Sequence, residues 1–495
     1  MELIIKNLGP IKGNQQSIDL SKKFFIFLGY NNSGKTYVSQ LLWTIFNQDK
    51  HIQFIKSSFS NGILENVSEQ NQGQWQIELT QTLIDSILEK FSFFLQEEIF
   101  TVLNQDKSNN IERENPLFSL KANINDFVNG EITDVIIKPI NTSLIRNDII
   151  PLSEGRLAIY LKITKECGKR TLKFSLHGVK KLTEKIWRLY SIRVLLAFFI
   201  HTPLIQSKFP PFFLPASRAF FSTFYTYIYE VERNKREEDF RLISELKSLK
   251  SIEEITKKIF RRSYTQPVSQ VIEALYDLNH NSSSLDIYNA HLIELAEIMG
   301  GDIILDRVEG IGPVQFSFRF KENKKEIDLP MYLASSSANQ LTLLYLYFKY
   351  WAREKGNFLI IDEPEVNLHP ENQIKLLDLL INFVNQSNNK VLIATHSPLL
   401  ADAVNNYLYI DNLRQYYNDE QIKQVIDDHR LKYLYPDTKL SREDLGVYFF
   451  NDKGKIIDYN NEDDWVDFTN FRNVKENLYE SGKILTNYIY QKENE

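Results

Sequence analysis

A strand, a two-glycine turn and a helix follow one another without a break in FFIFLGYNNSGKTYVSQLLWTIF, residues 24–46. The apolar run 24–28 has the length of a buried strand, and YVSQLLWTIFN carries apolar residues at helical spacing. Between them Gly29-Tyr30-Asn31-Asn32-Ser33-Gly34-Lys35-Thr36 fits G-x-x-x-x-G-K-[ST] in full, in the strand-before, helix-after setting that gives the pattern its meaning. A strand apolar on both faces needs parallel neighbours and helices on both sides. Two such runs stand far downstream, NFLIIDEP and KVLIATHSP, with the helical ENQIKLLDLLINFVNQ between them. The expected fold class is therefore α/β, a P-loop core whose sheet is assembled from both ends of the chain around a long insertion.

The remaining segments read less sharply. The N-terminus alternates as a strand and turns at Gly9-Pro10. Residues 75–105 read as an amphipathic helix or helix pair, and 117–177 as antiparallel strands, notably RLAIYLKI and TLKFSLHGV. Helix is expected again at 178–206, and a short strand at 212–221 that turns at Pro215. Residues 219–300 read as mainly helical and 302–329 as strands. SANQLTLLYLYFKYWAREKG reads as a helix ending at Gly356. The tail should alternate short strands, LGVYFF and GKIIDY, with a final helix. These readings divide the chain into 1–60 (the half with the glycine turn), 61–116 (a helical insertion), 117–218 (a β-rich part and connecting helix), 219–300 (a second helical insertion) and 301–495 (the second half of the core).

The chemistry lies where the apolar strands end. Gly29 and Gly34 let the backbone wrap a phosphate, so that the N–H groups of Asn31, Asn32 and Ser33 and the following helix N-terminus face it. Lys35 is placed to reach β- and γ-phosphates, and the Thr36 hydroxyl to ligate Mg²⁺. Asp362 and Glu363 stand at the C-terminal end of the strand 358–361, the edge where open α/β sheets place ligands. Asp362 would hold Mg²⁺, and Glu363 would polarise an attacking water. Positioning and charge neutralisation are most of what phosphoryl transfer asks of a protein. His396, one strand–helix–strand step further on, could hydrogen-bond a γ-phosphate. ATP and Mg²⁺ are the implied cofactors.

Taken together, the P-loop, D-E-P-x-x-N-L-H-P, a histidine after the next strand and a serine-rich helix start resemble the ABC-type ATPase heads of the SMC, RecF and OLD families. The resemblance covers residues 1–45 and 330–410 firmly and 117–220 loosely. It implies a mixed-sheet core with an antiparallel β subdomain, and ATP sandwiched between two heads. Each head would offer a signature helix to the other's nucleotide, here Ala334-Ser335-Ser336-Ser337-Ala338-Asn339-Gln340. This signature departs from the family pattern, with Ser337 in place of the usual glycine and Ala338 and Asn339 in place of acidic and basic residues. Ser335, Ser336 and Ser337 can still direct donors at a γ-phosphate. Asn367, Leu368 and His369 match the family's dimer-contacting segment, and Arg218 in LPASR lies where related heads carry a phosphate- or water-sensing loop, a reading balanced against that of an ordinary surface arginine.

Composition narrows the role. No heptad pattern persists long enough for SMC-type arms. The acids of NEDDWVDF follow no apolar strand suited to a Toprim nuclease. What remains resembles the stand-alone ATPase subunits of bacterial anti-phage systems such as Septu and PARIS. The implied partners are a second copy or a higher homo-oligomer, and a separate nuclease or toxin-like effector. A RecF-like DNA-repair clamp is the alternative. With 58 basic and 64 acidic residues the net charge is −6, which argues against general coating of nucleic acid but leaves DNA contact open. Arg233, Lys235, Arg236, Lys257, Lys258, Arg261 and Arg262 are interleaved with acids, as on a solvated helix face. One cysteine, Cys167, and no bilayer-length apolar run fit a cytoplasmic protein without a membrane partner.

Overall fold

The computed structural model describes residues 1–57, 67–71, 74–105, 116–123, 132–137, 160–165, 170–177, 210–225, 227–231, 233–234, 237, 264–278, 286–306, 314–322, 325–386, 388–459, 476–477 and 479–484. A six-stranded sheet carries the site. Its spatial order is Phe212–Leu214, Phe358–Asp362, Lys390–Thr395, Phe24–Gly29, Leu445–Phe450, Ile456–Asp458. The first five strands run parallel and the last is antiparallel. The strand that leads into the glycine turn thus lies between the histidine strand and a strand from the tail, with Ile26 opposite both Ile393 and Val447.

Alternation divides these strands between two cores. Phe24, Ile26 and Leu28 face one side with Ile361, Ile393 and Val447; Phe25 and Phe27 face the other with Ile360, Leu392 and Tyr448. The helices Ser336–Leu346, Pro370–Asn385 and Pro398–Leu413 cover the first face, and Lys35–Phe46 and Gln81–Val102 the second. Because five strands are parallel, those ending at Gly29, Asp362 and Thr395 deliver their following residues to one edge.

Three antiparallel sheets surround this layer. Glu2–Ile5 pairs with Ser17–Asp19 and Phe118–Lys121. Val67–Asn71, Gln74–Glu78, Thr171–His177, Tyr160–Lys165 and Ile132–Ile137 form a five-stranded sheet, and Asp302–Asp306, Gln315–Glu322 and Lys325–Pro330 a three-stranded one. Among the described residues no helix is long and apolar enough to cross a membrane.

Three sequence readings need correction. The helix expected over 75–105 begins only at Gln81, where the Thr80 hydroxyl accepts from the Leu83 N–H at 3.2 Å. Residues 74–78 instead pair with 171–177 as a strand, so the segment 61–116 is not simply helical. The helix expected to run to Gly356 is α-helical only over Ser336–Leu346 and closes in a π turn, Tyr347–Trp351, with the Ala352 N–H on the Tyr347 carbonyl at 2.7 Å. The tail, read as short strands and a final helix, also holds a helix at Asp419–Asp428, started by a capping box between Asn418 and Gln421. The helix expected at 178–206 lies outside the described residues.

The tail strand also explains Gly29. A Cβ there would stand 2.1 Å from the Phe450 carbonyl oxygen, and φ is +143°. Gly29→Ala must push two paired strands apart; a loss above about 3 kcal/mol is expected, read as a large fall in melting temperature.

Candidate functional site

The glycine turn has the backbone its sequence predicts. Asn32 lies at φ +59° and Gly34 at φ +103°, immediately before the helix Lys35–Phe46. Asn31 and Asn32 are exposed, while Ser33, Gly34 and Lys35 are buried. The Ser33 hydroxyl is buried without a hydrogen-bond partner. The Lys35 ammonium folds back on the turn, donating to the carbonyls of Gly29 (3.1 Å) and Tyr30 (2.8 Å). Burial lowers its pKa to about 8, against the opposing pull of Asp362, Glu363 and Glu365. A buried cation on carbonyls and an orphaned hydroxyl suit an anion with several acceptor oxygens.

Thr36 and Asp362, far apart in sequence, meet here: the Thr36 hydroxyl donates to the Asp362 carboxylate at 2.9 Å. Asp362 is buried, and desolvation raises its pKa to about 6, with the Thr36 hydrogen bond the largest opposing influence. Hydroxyl and carboxylate form a hard, all-oxygen pair of the kind that binds Mg²⁺ with water and phosphate completing the shell. The residues present therefore fit that ion. Among the described residues no cluster of three or more His, Cys, Asp or Glu side chains could hold a metal.

The raised pKa of Asp362 has a measurable consequence. Between its unfolded value near 3.8 and about 6 the folded state holds the extra proton, so this group's contribution to stability falls as pH rises through that window and stays low above it. Asp362→Asn should therefore raise the melting temperature of the nucleotide-free protein at pH 7.5, and the gain should shrink towards pH 4.5. The same substitution should weaken Mg²⁺-dependent nucleotide binding.

Glu363 departs from strand geometry at φ +48°, anchored by its N–H on the Ala394 carbonyl at 2.7 Å. This turn aims its half-exposed carboxylate along the site edge, with Oε1 3.9 Å from His396 Nε2. The two are neighbours without a direct hydrogen bond. Burial and the Lys35 charge lower the His396 pKa below its usual value, which favours the neutral ring near pH 7. Glu365, which the motif contains but to which the sequence assigns no role, accepts the His396 N–H on Oε1 at 2.9 Å. Its Oε2 is buried without a partner. Glu365 thus fixes the backbone of the histidine turn. No residue pattern gives that away, because the donor is a main-chain group.

Ser335, Ser336 and Ser337 stand at the start of the helix Ser336–Leu346. Ser335 is its N-cap, accepting from the Ala338 N–H at 3.1 Å, with its Oγ 2.9 Å from that of Ser337. Ser335 and Ser336 are exposed and Ser337 is partly so. Among the described residues no hydrogen bond links these serines to Lys35, Asp362 or His396. Asn367 turns at φ +63°, Leu368 is buried, and His369 caps the helix Pro370–Asn385 through Nδ1. Within one chain Leu368 packs into the core. Arg218, weighed above between a phosphate- or water-sensing role and that of an ordinary surface arginine, is 1% exposed, so the second reading is wrong and the residue belongs to the interior.

No curated protein matches the chain in sequence. Solved SMC heads align at low global similarity. One bound to the C-winged helix domain of ScpA is 13% identical, aligning 81% of this chain with 91% of its own at a TM-score of 0.31. An SMC head with an extended coiled coil, bound to the C-terminal domain of ScpA and derived from Pyrococcus furiosus, is 13% identical, with coverages of 81% and 90% and a TM-score of 0.27. The SMC head domain from Thermotoga maritima is 11% identical, with the same coverages and a TM-score of 0.26. The sequence itself is more decisive: residues 1–401 match the model of the AAA ATPase domain, and the chain belongs to that family.

Proposed function

We propose that the chain binds Mg-ATP on the Gly29–Thr36 turn and hydrolyses it. The observation that carries this reading is the 2.9 Å contact of Thr36 with Asp362, which puts the P-loop and the acid strand in one site beside Lys35, Glu363 and His396. Lys35 leaves the carbonyls of Gly29 and Tyr30 for phosphate oxygens, and the N–H groups of 31–34 close around them. Thr36 and Asp362 would hold Mg²⁺, which when bound neutralises phosphate charge. Glu363 orients and deprotonates the attacking water, and neutral His396 offers a hydrogen bond beside it.

Two copies pair through ATP, each presenting Ser335, Ser336 and Ser337 to the other's phosphates, and hydrolysis resets the pair. Following the motif resemblance, this cycle senses a trigger and controls a separate nuclease or toxin-like effector in anti-phage defence. The DNA-clamp reading gains little from the described residues, where Arg233 faces Glu237 at 3.7 Å on an exposed helix.

The test is the native mass of Glu363→Gln with and without Mg-ATP. An ATP-dependent doubling that Lys35→Ala abolishes supports pairing. A mass unchanged by ATP, with nucleotide bound, rules it out.

A further inference from the structure

The edge strand Phe212–Leu214 ends in Pro215 and a single 3-10 turn, Ala216–Arg218, which delivers one arginine into the interior. All five guanidinium N–H groups of Arg218 are spent on main-chain carbonyls. Nε donates to Gln340 at 3.0 Å, Nη1 to Pro215 (3.3 Å) and Asp362 (2.7 Å), and Nη2 to Glu363 (3.1 Å) and Pro364 (3.3 Å). Three acceptors are therefore consecutive carbonyls of the turn that carries Glu363, and a fourth belongs to the serine-capped helix. None is a carboxylate, so the buried charge is not a simple ion pair. The acids around it are Glu365, Asp362 and Glu363, all members of the site.

The chain next to Arg218 strengthens the link to the helix. Gln340 Nε2 donates to the Ala216 carbonyl at 3.1 Å, while the Ser222 and Thr223 hydroxyls donate to Asn339 Oδ1 at 3.0 and 3.2 Å. Asn339 Nδ2 in turn donates to the Met331 carbonyl at 2.9 Å. Segment 216–223 thus fastens the first turns of the serine-capped helix to the turn of Glu363. That turn needs fastening, because a non-glycine residue at φ +48° is held only where its surroundings fix it. Burying a full positive charge is an expensive way to fill space, and an apolar side chain would fill it with less desolvation.

We propose that Arg218 is a positioning residue: it holds the turn of Glu363 in place and links it to the serine-capped helix, so that engagement of Ser335–Ser337 is transmitted to the carboxylate that activates water. This rests on the ATPase reading above. Removing the fork displaces the Glu363 carboxylate but leaves the phosphate turn and Lys35 intact, and Asp362 stays held by its strand pairing opposite Ala394 and by the Thr36 hydroxyl. The defect therefore falls on the chemical step and spares nucleotide affinity.

The test compares Arg218→Lys, which keeps the charge but has three donors in place of five, with the parent and with Glu363→Gln. Turnover in Arg218→Lys should fall about 10²-fold, the usual effect of a misplaced catalytic group, with affinity for a non-hydrolysable ATP analogue within about threefold. Adding Arg218→Lys to Glu363→Gln should slow turnover no further, because both act through one group. Turnover within threefold of the parent, additive losses, or parallel loss of binding and melting temperature would each overturn the proposal. A parent protein that binds ATP without turnover would instead overturn the ATPase reading.

Amide hydrogen exchange tests the link without turnover. In Glu363→Gln, Mg-ATP should slow exchange in both 336–342 and 363–368; with Arg218→Lys added, only one segment should respond. If both respond with the lysine present, the link is not made by Arg218. Should Arg218→Lys fail to fold, a response confined to one segment in Glu363→Gln alone is enough to reject the coupling.

Discussion

Glu363→Gln should lower ATP turnover by about 10²–10³-fold and leave affinity for Mg-ATP within a factor of about three, the range expected when a general base is lost and the binding groups remain. The substitution is nearly isosteric and keeps the turn at φ +48°, because what fixes that turn is main-chain hydrogen bonding to Ala394 and Arg218. Lys35, Thr36 and Asp362 are untouched, so the phosphate and metal contacts proposed for them should persist. Lys35→Ala should behave differently: it removes the buried ammonium that contacts the turn and should abolish binding and turnover together. The two variants separate chemistry from binding, and single-turnover hydrolysis with equilibrium titration of a fluorescent ATP analogue checks both. A Glu363→Gln protein within fivefold of the parent rate would shift the role of base to Glu365 or His396, the other groups at the same edge.

The parts of the site visible in the sequence share one property. Each is a short segment whose chemistry follows from the element before it: Gly29–Thr36 after an all-apolar strand, Asp362-Glu363 after a second, His396 after a third. Parallel pairing does the rest, since strands apolar on both faces can only stack side by side and release their C-terminal residues at one edge. Hence Thr36 meets Asp362 although no local signal links them. What stayed hidden depends on partners that are main-chain atoms or distant residues. Arg218 is buried because carbonyls from two remote segments converge on it, and an arginine in LPASR carries no mark of that. Glu365 matters through the N–H of His396. The start of the helix at Gln81 was obscured because the period-two run QWQIE joins a helical one with only Leu79 and Thr80 between them, and pairing with 171–177 decided it.

A chain ended at residue 401, the limit of the family match, should not fold, although it contains every candidate site residue. The strand Leu445–Phe450 lies beyond that limit and is the immediate parallel neighbour of Phe24–Gly29. All six of its residues are buried. Losing Leu445, Val447, Tyr448, Phe449 and Phe450 forfeits about 10 kcal/mol of burial at 1.5–3 kcal/mol per large side chain, comparable with the whole stability of a typical domain. The loss also reaches the site. The Tyr30 N–H would lose the Phe450 carbonyl (3.2 Å), and the N-terminal loop its contact from the Lys12 N–H to the Gly454 carbonyl (3.1 Å). The P-loop strand would be left as an open, flat, apolar edge, which invites aggregation. Val447→Asp tests the same dependence in the full-length chain, placing an unpaired carboxylate opposite Ile26 in the fully buried layer, where a penalty of several kcal/mol is expected. Both proteins should be insoluble or lack a cooperative melting transition. A soluble 1–401 chain that melts cooperatively and binds ATP would mean that the sheet closes on the P-loop strand without its tail, and that the burial of Phe27 between Tyr448 and Phe450 is dispensable.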